Sequence, residues 1–431
     1  MKITKLFLVL IIAIAWPFKL FALPVSFDLR EHGRVTSVKN QGIPGPCWAF
    51  AALGSMESSW LTQKLNTDGK IPDLSEMQLA YYAYREPKKY KNFTARFTGG
   101  TLKLEGNVFM AAAFLSRLSG VTSERYLRYS REALRNLKTQ KIAGSSEKYK
   151  RFMRLKGAYY LSNRANPSNE TRKDLIYNYG GIVVSINSSL TKFRTINGKY
   201  TYFNNSEGTE TNHDVLIVGW DDNFPKTNFI PNASRDGAWL IKNSWSALRG
   251  SNGGYFWTPY EQFLRGGAVF IAANANPRLK HYGYDDLGWC GNASYKYSAN
   301  IFKIASSYET IIEAGFYVPD SDSDYELEIY DNGLNFPDKP NAGERISQLR
   351  GRIKYAGYHV IDLPEQILIE RGHYVSIILK LPSISPVELN LKGYSENFLV
   401  NKHESYFSND GINWIDGYDL KMNACLKIFS H

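Results

Sequence analysis

The stretch that decides the fold reads Asn40-Gln41-Gly42-Ile43-Pro44-Gly45-Pro46-Cys47-Trp48-Ala49-Phe50. Glycines and prolines crowd its first half, which marks a turn-rich approach. The texture changes at Cys47. Trp48, Ala52, Met56 and Trp60 recur at helical spacing toward Gln63, reinforced by Ala51 and Leu53. Pro46 falls where a first-turn proline is tolerated. Cys47 therefore opens a helix. A thiol there faces the positive end of the helix dipole and unpaired N–H groups, and both favour thiolate, its reactive form.

A reactive thiol needs a base, and the base needs an orienter. His213 lies in Asn212-His213-Asp214-Val215-Leu216-Ile217-Val218-Gly219-Trp220, a polar lead-in to an apolar strand. Asn243 ends another strand, in Ile241-Lys242-Asn243-Ser244-Trp245. Taken singly, each has a plainer explanation: an inert buried cysteine, a turn histidine, a turn asparagine. Taken together and in this order, they do not.

The set resembles the papain family of cysteine peptidases, over about residues 24–275. Asn40-Gln41-Gly42 and Pro46-Cys47-Trp48-Ala49-Phe50 are similar to the family's nucleophile motif, and Leu74-Ser75-Glu76-Met77-Gln78-Leu79 to its second helix. Gly99-Gly100 resembles the glycine pair lining the cleft, and Val25-Ser26-Phe27-Asp28-Leu29-Arg30 the mature start. The resemblance implies an α+β, two-lobed peptidase domain, helical lobe first and β-barrel lobe second. Its implied catalytic set is Cys47 as thiolate nucleophile, His213 as base, Asn243 as orienter and Gln41 as oxyanion donor. Trp245 would shield the His213–Asn243 contact. Asn212, Asp214, Gly99 and Gly100 would line the substrate site, with Asp214 biasing one pocket toward basic or polar side chains. No metal or organic cofactor is implied. Polypeptide is the implied substrate.

The sequence also departs from the family. Pro44 stands where the family usually has a second, disulfide-bonded cysteine. The Cys47-to-His213 interval is 166 residues and the Cys47-to-Asn243 interval 196, against a usual family spacing of about 130–150. An insertion near 130–156 would account for part of the excess, and Asp221 through Gly237 is a second extension, between the base and orienter strands. Only a few residues separate the leader from the mature start, so control by a long inhibitory prosegment is not expected.

Residues 1–22 read as a signal peptide: Lys2 and Lys5, the apolar run Leu6 to Ile14, then small residues at Ala15 and Ala22. An uncleaved anchor is the alternative. The product is expected to be secreted or at the cell surface. The net charge of +11 is local. Eleven Lys or Arg against three Glu lie between Glu124 and Lys156, a surplus of +8, and three lysines lie in the leader. The remainder is near neutral, which argues against a nucleic-acid partner. The basic stretch reads as a solvated helix, or else as a contact for an anionic surface. Of the three cysteines, Cys290 and Cys425 either pair, leaving Cys47 free, or all three are thiols.

Helices are also expected over Leu74 to Tyr84, Gly106 to Leu118 and Leu175 to Tyr179. Strands are expected over Ile182 to Ile186, Val215 to Trp220, Ala238 to Lys242, Gly254 to Trp257 and Ala268 to Ala272. The peptidase domain is assigned to 23–276. Residues 277–431 alternate strand-like runs with Gly, Asp, Asn and Pro turns, which reads as a separate all-β sandwich. Gly219-Trp220-Asp221-Asp222 and Gly237-Ala238-Trp239-Leu240 resemble a prokaryotic branch of the family that often carries a lectin-like β domain there. Trp414 and Tyr418 could stack on a cell-surface glycan, although aromatics in β domains are more often core. The expected activity is that of a cysteine endopeptidase, hydrolysing peptide bonds through a Cys-His-Asn thiolate mechanism as a monomer. The rivals are acyl transfer on the same residues, and an adhesin with an inactive peptidase domain.

Overall fold

The structure is a computed structural model. It describes residues 22–42, 45–65, 69–83, 97–98, 101–102, 104–130, 151–161, 167–206, 208, 210–305, 308–391 and 399–431. The leader (except Ala22), Pro44, Gly99, Gly100 and most of the basic stretch lie outside these residues.

Helix α1 spans Cys47–Thr62, and every residue from Trp48 to Leu61 is buried. A helix enclosed on all sides must satisfy its polar side chains internally. Ser55 donates to the Gly181 carbonyl and accepts from the Phe270 N–H. Glu57 accepts from Thr36 Oγ1 and the Leu74 N–H. Helix α2, Glu76–Tyr82, is capped by Ser75, which accepts from the Gln78 N–H. Helix α3, Val108–Ser116, is capped by Asn107, and α4, Asn169–Tyr179, by Ser168.

The strands are β1 Ser26–Asp28, β2 Phe97–Thr98, β3 Thr101–Leu102, β4 Met153–Tyr160, β5 Ile182–Ile186, β6 Phe193–Ile196, β7 Lys199–Tyr202, β8 His213–Asp221, β9 Ala238–Lys242, β10 Tyr255–Pro259 and β11 Arg265–Asn274. Then come β12 Lys280–Gly283, β13 Gly291–Ala293, β14 Tyr297–Lys303, β15 Tyr308–Val318, β16 Ser323–Asp331, β17 Glu344–Ile353, β18 Gly357–Glu370, β19 Tyr374–Lys380, β20 Ser385–Leu389, β21 Ser405–Ser408, β22 Ile415–Asp416, β23 Met422–Ala424 and β24 Leu426–Ser430.

Among the described residues one sheet runs β12-β24-β15-β18-β4-β11-β5-β8-β9-β10-β7-β6, with β1 added on β8. Its β12-to-β18 part packs against a second sheet, β17-β16-β19-β14-β21-β22. Ile311, Phe316 and Ile428 from the first meet Phe302, Leu327 and Ile377 from the second in one apolar core. This is the expected sandwich.

The sandwich domain is joined to the peptidase domain by paired strands. β18 pairs with β4 through Gly357↔Tyr159, Tyr358↔Ala158 and His359↔Gly157. Tyr317, Tyr358, Val360 and Phe429 belong to the same apolar cluster as Trp48 and Met56 of α1. The tail of the basic stretch makes this joint. Met153, Leu155 and Arg154, Lys156 alternate along strand β4, not along a solvated helix. Arg154 donates twice to Glu313 of β15, at 2.8 and 2.6 Å, and Lys156 adds a third bond at 2.6 Å. The cations balance a buried carboxylate instead of facing water.

All three cysteines are free thiols. Cys290 leads into β13 and Cys425 follows β23, the strands either side of β20. Two strand spacings put their backbones roughly 9–10 Å apart, beyond disulfide reach.

Candidate active site

Two elements converge on one cleft of about 600 Å³, whose lining includes Cys47, Trp48, Asn107, His213, Asp214 and Arg265. α1 brings the thiol. Pro46 is its N-cap, and the Pro46 carbonyl accepts from the Ala49 and Phe50 N–H groups. Cys47 thus stands on the first helical turn, as its sequence context requires.

β8 brings the imidazole. His213 Nε2 lies 2.8 Å from Asn243 Oδ1. An amide oxygen only accepts, so Nε2 carries the proton and Nδ1 is the basic nitrogen. The Trp245 ring stacks on the imidazole at 4.6 Å and 21°. Asn243 is held in turn, since its N–H donates to the Gly254 carbonyl and its Oδ1 also accepts from the Ser244 N–H.

Gln41 lies in the loop before α1. Its N–H donates to the Ser244 carbonyl at 2.8 Å, and its Oε1 accepts from Ser244 Oγ. That leaves the Nε2 donors to face the loop. A Cβ on Gly45 would come within 1.8 Å of Gln41 Nε2, so the amide lies directly against Gly45. If Gln41 is the oxyanion donor that the resemblance implies, Gly45→Ala should displace the amide and lower kcat by about 10²–10³. Steady-state kinetics beside an unchanged circular dichroism spectrum would check this.

The remaining expected site residues divide. Asp214 lines the cleft, and its carboxylate accepts from Ser185 Oγ. The Asn212 side chain also borders the cleft, but its amide is occupied on Ser188, accepting from the N–H and donating to the carbonyl. Gly99 and Gly100 lie outside the described residues. The described cleft wall is Leu104 to Phe109. Gly106 is its close-approach residue, since a Cβ there would come within 2.4 Å of the Trp48 ring. The sequence reading missed it. The Glu105-Gly106-Asn107 turn just before an Asn-capped helix was the available signal.

Burial dominates the electrostatics. It pushes the Cys47 thiol up to about 11, and the Asp214 carboxylate adds to the rise against nearby backbone N–H groups. It pushes His213 down to about 4 despite the Asn243 bond. It pushes Asp214 up to about 6 against the Ser185 bond. For both Cys47 and His213, burial disfavours the charged form, so the charge of either must be supported by the other. Among the described residues no cluster of His, Cys, Asp and Glu could hold a metal ion.

Sites of this make define the cysteine-type peptidases. Within that class the chain belongs to the papain family of cysteine proteases, whose family model matches residues 23–265, and a lectin-like domain model matches residues 281–430. A viral cathepsin from Spodoptera exigua nuclear polyhedrosis virus is 30% identical over 233 residues, covering 53% of this chain and 56% of that protein. Cathepsin S from Bos taurus is 30% identical over 233 residues, 54% and 59% of the two chains. The chain thus spans little more than half the length of these relatives. A solved structure of the cysteine protease and lectin-like domains of Cwp84, a surface layer associated protein of Clostridium difficile, has a TM-score of 0.76 at 21% identity, covering 94% of this chain and 88% of that one. A second Cwp84 structure, after propeptide cleavage, has a TM-score of 0.78 at 21% identity, covering 94% and 98%. These two likenesses show that both domains share one fold with Cwp84.

Proposed function

We propose that this chain is an exported cysteine peptidase that hydrolyses peptide bonds in polypeptides, acting as a monomer. The observation that carries the reading is the His213–Asn243 bond under Trp245, which leaves Nδ1 as the base in the cleft that holds Cys47. Cys47 gives its proton to His213 Nδ1 and attacks the scissile carbonyl as thiolate. The carbonyl oxygen takes the negative charge and is met by the Gln41 amide and the Cys47 N–H. The C–N bond breaks as His213 returns the proton to the leaving amine. Water, deprotonated by His213, then hydrolyses the thioester and restores the thiol. Asp214 favours a basic or polar substrate side chain beside the cleft.

Export rests on the Lys2 to Ala22 pattern. The likeness to Cwp84, described as surface layer associated, supports a secreted or cell-surface place. The lectin-like domain supports a glycan partner, with Tyr418 exposed and Lys402 lying over its ring.

The test is incubation with a thiol-directed epoxide and a peptide panel, beside Cys47→Ala. Labelling at Cys47 with hydrolysis, both lost in the variant, is the expected result. Ligated products would replace hydrolysis by acyl transfer. An unlabelled protein without turnover would sink the enzymatic reading in favour of the adhesin.

A further inference from the structure

We propose that Tyr129 is a positioning residue for the oxyanion hole: its hydroxyl, bonded to the Gln41 carbonyl, sets where the Gln41 amide stands. This rests on reading Gln41 as the oxyanion donor.

The Gln41 side chain can be placed only if its backbone is. Its N–H belongs to the preceding peptide plane and donates to the Ser244 carbonyl at 2.8 Å. Its carbonyl belongs to the following plane and accepts from the Tyr129 hydroxyl at 2.6 Å. The Gly42 N–H of that same plane also donates to Asn40 Oδ1 at 3.0 Å, so the Tyr129 bond is the tether that reaches outside the loop, and with the Ser244 bond it sets φ and ψ of Gln41 and the direction of its Cα–Cβ bond. Remove the Tyr129 bond and ψ is held only by the Gly42–Asn40 bond, which moves with the loop. Among the described residues little else in the loop holds it. Gly42 follows at φ 61°, a left-handed conformation suited to glycine, and Gly45 comes three residues later. No disulfide ties the loop, because all three cysteines are free. A cavity of about 810 Å³, lined among others by Lys39, Asn40, Phe50 and Tyr129, opens beneath it. Packing from that side therefore does not substitute for the bond.

Tyr129 is itself anchored. Its ring meets Phe50 of α1 edge-on at 5.0 Å and 87°. Its N–H donates to Glu124 Oε1 at 2.6 Å, and the Glu124 N–H donates to the Asp73 carbonyl at 2.8 Å. Burial, with Glu76 and Glu124 nearby, pushes the phenol well above its ordinary value, so the hydroxyl remains a donor across the working pH range. A strut runs from the segment that leads into the basic insertion, past the nucleophile's helix, to the oxyanion loop.

Tyr129→Phe removes one oxygen and keeps the ring on Phe50. On peptide amide substrates its kcat should fall about tenfold or more, with KM within twofold. Alkylation of Cys47 by iodoacetamide forms no oxyanion, so its rate should not change. In a Gln41→Ala background, Tyr129→Phe should add nothing. An unchanged kcat in Tyr129→Phe would overturn the proposal. So would equal losses with and without Gln41, since the two residues would then act independently. A Gln41→Ala variant of undiminished kcat would instead remove the Gln41 reading beneath it.

Discussion

A chain ended after Asn276 should not fold cooperatively, although it keeps every residue assigned to catalysis. The cut removes β18 from β4 and leaves the backbone of Ala158 and its neighbours unpaired at a sheet edge. It also strips Glu313 from Arg154, whose side chain is only 11% exposed. Trp289 is lost from beside Phe109 and Tyr160, and His359 from its stack on Tyr159. Val360 and Phe429 leave the cluster that encloses α1, at roughly 1.5–3 kcal/mol for each large apolar side chain. Total stabilities of domains are about 5–15 kcal/mol, so losses on this scale are decisive. Urea unfolding of the 23–276 fragment followed by fluorescence is the check. A sharp transition near that of the full chain would defeat the expectation.

Lys427→Met should cost about 3–5 kcal/mol, the usual consequence of breaking a buried ion pair from one side. The Lys427 and Asp285 side chains are 1% and 0% exposed and paired to each other. Asp285 Oδ1 has no other partner, so the variant would leave the whole carboxylate unbalanced. Burial already pushes the Asp285 carboxyl up. The folded variant would therefore take up a proton that the unfolded chain releases, and its deficit should shrink as pH falls. Adding Asp285→Asn should restore most of the loss at neutral pH. Denaturant midpoints of the two variants at pH 5 and pH 8 would decide it, and equal deficits at both would refute the argument.

What could be seen from the sequence was what chemistry and local geometry mark together. Cys47 opens α1 because the breakers before it and the apolar spacing after it are both local facts. Ser75 caps α2 for the same reason, and Ala238–Lys242 is a strand of alternating neighbours buried on both faces. His213 and Asn243 were findable because each ends or begins such a strand. β4 was not read correctly, although Met153, Leu155 and Arg154, Lys156 alternate with strand period. Its cations looked solvent-facing, and the carboxylate they serve lies at Glu313, 159 residues from Arg154. Long-range charge pairing leaves no mark near the residue that needs it. Nor does ring packing: the turn signal at Gly106 was there to read, but its contact with the Trp48 ring was not.

The sheet that crosses from β4 to β18 bears on reach as well as on stability. Two bodies on a loose tether sweep a volume, and one can work wherever the other happens to land. Here the cleft and the sandwich share hydrogen-bonded strands and cannot swivel. The span from Cys47 to any point on the outer sheet is a constant of the molecule, as in a caliper with its jaws locked. If the sandwich rests on a polymer, the cleft meets the neighbouring chain at one distance and one angle. Selection of a cut site then follows from architecture as much as from the pockets that read side chains.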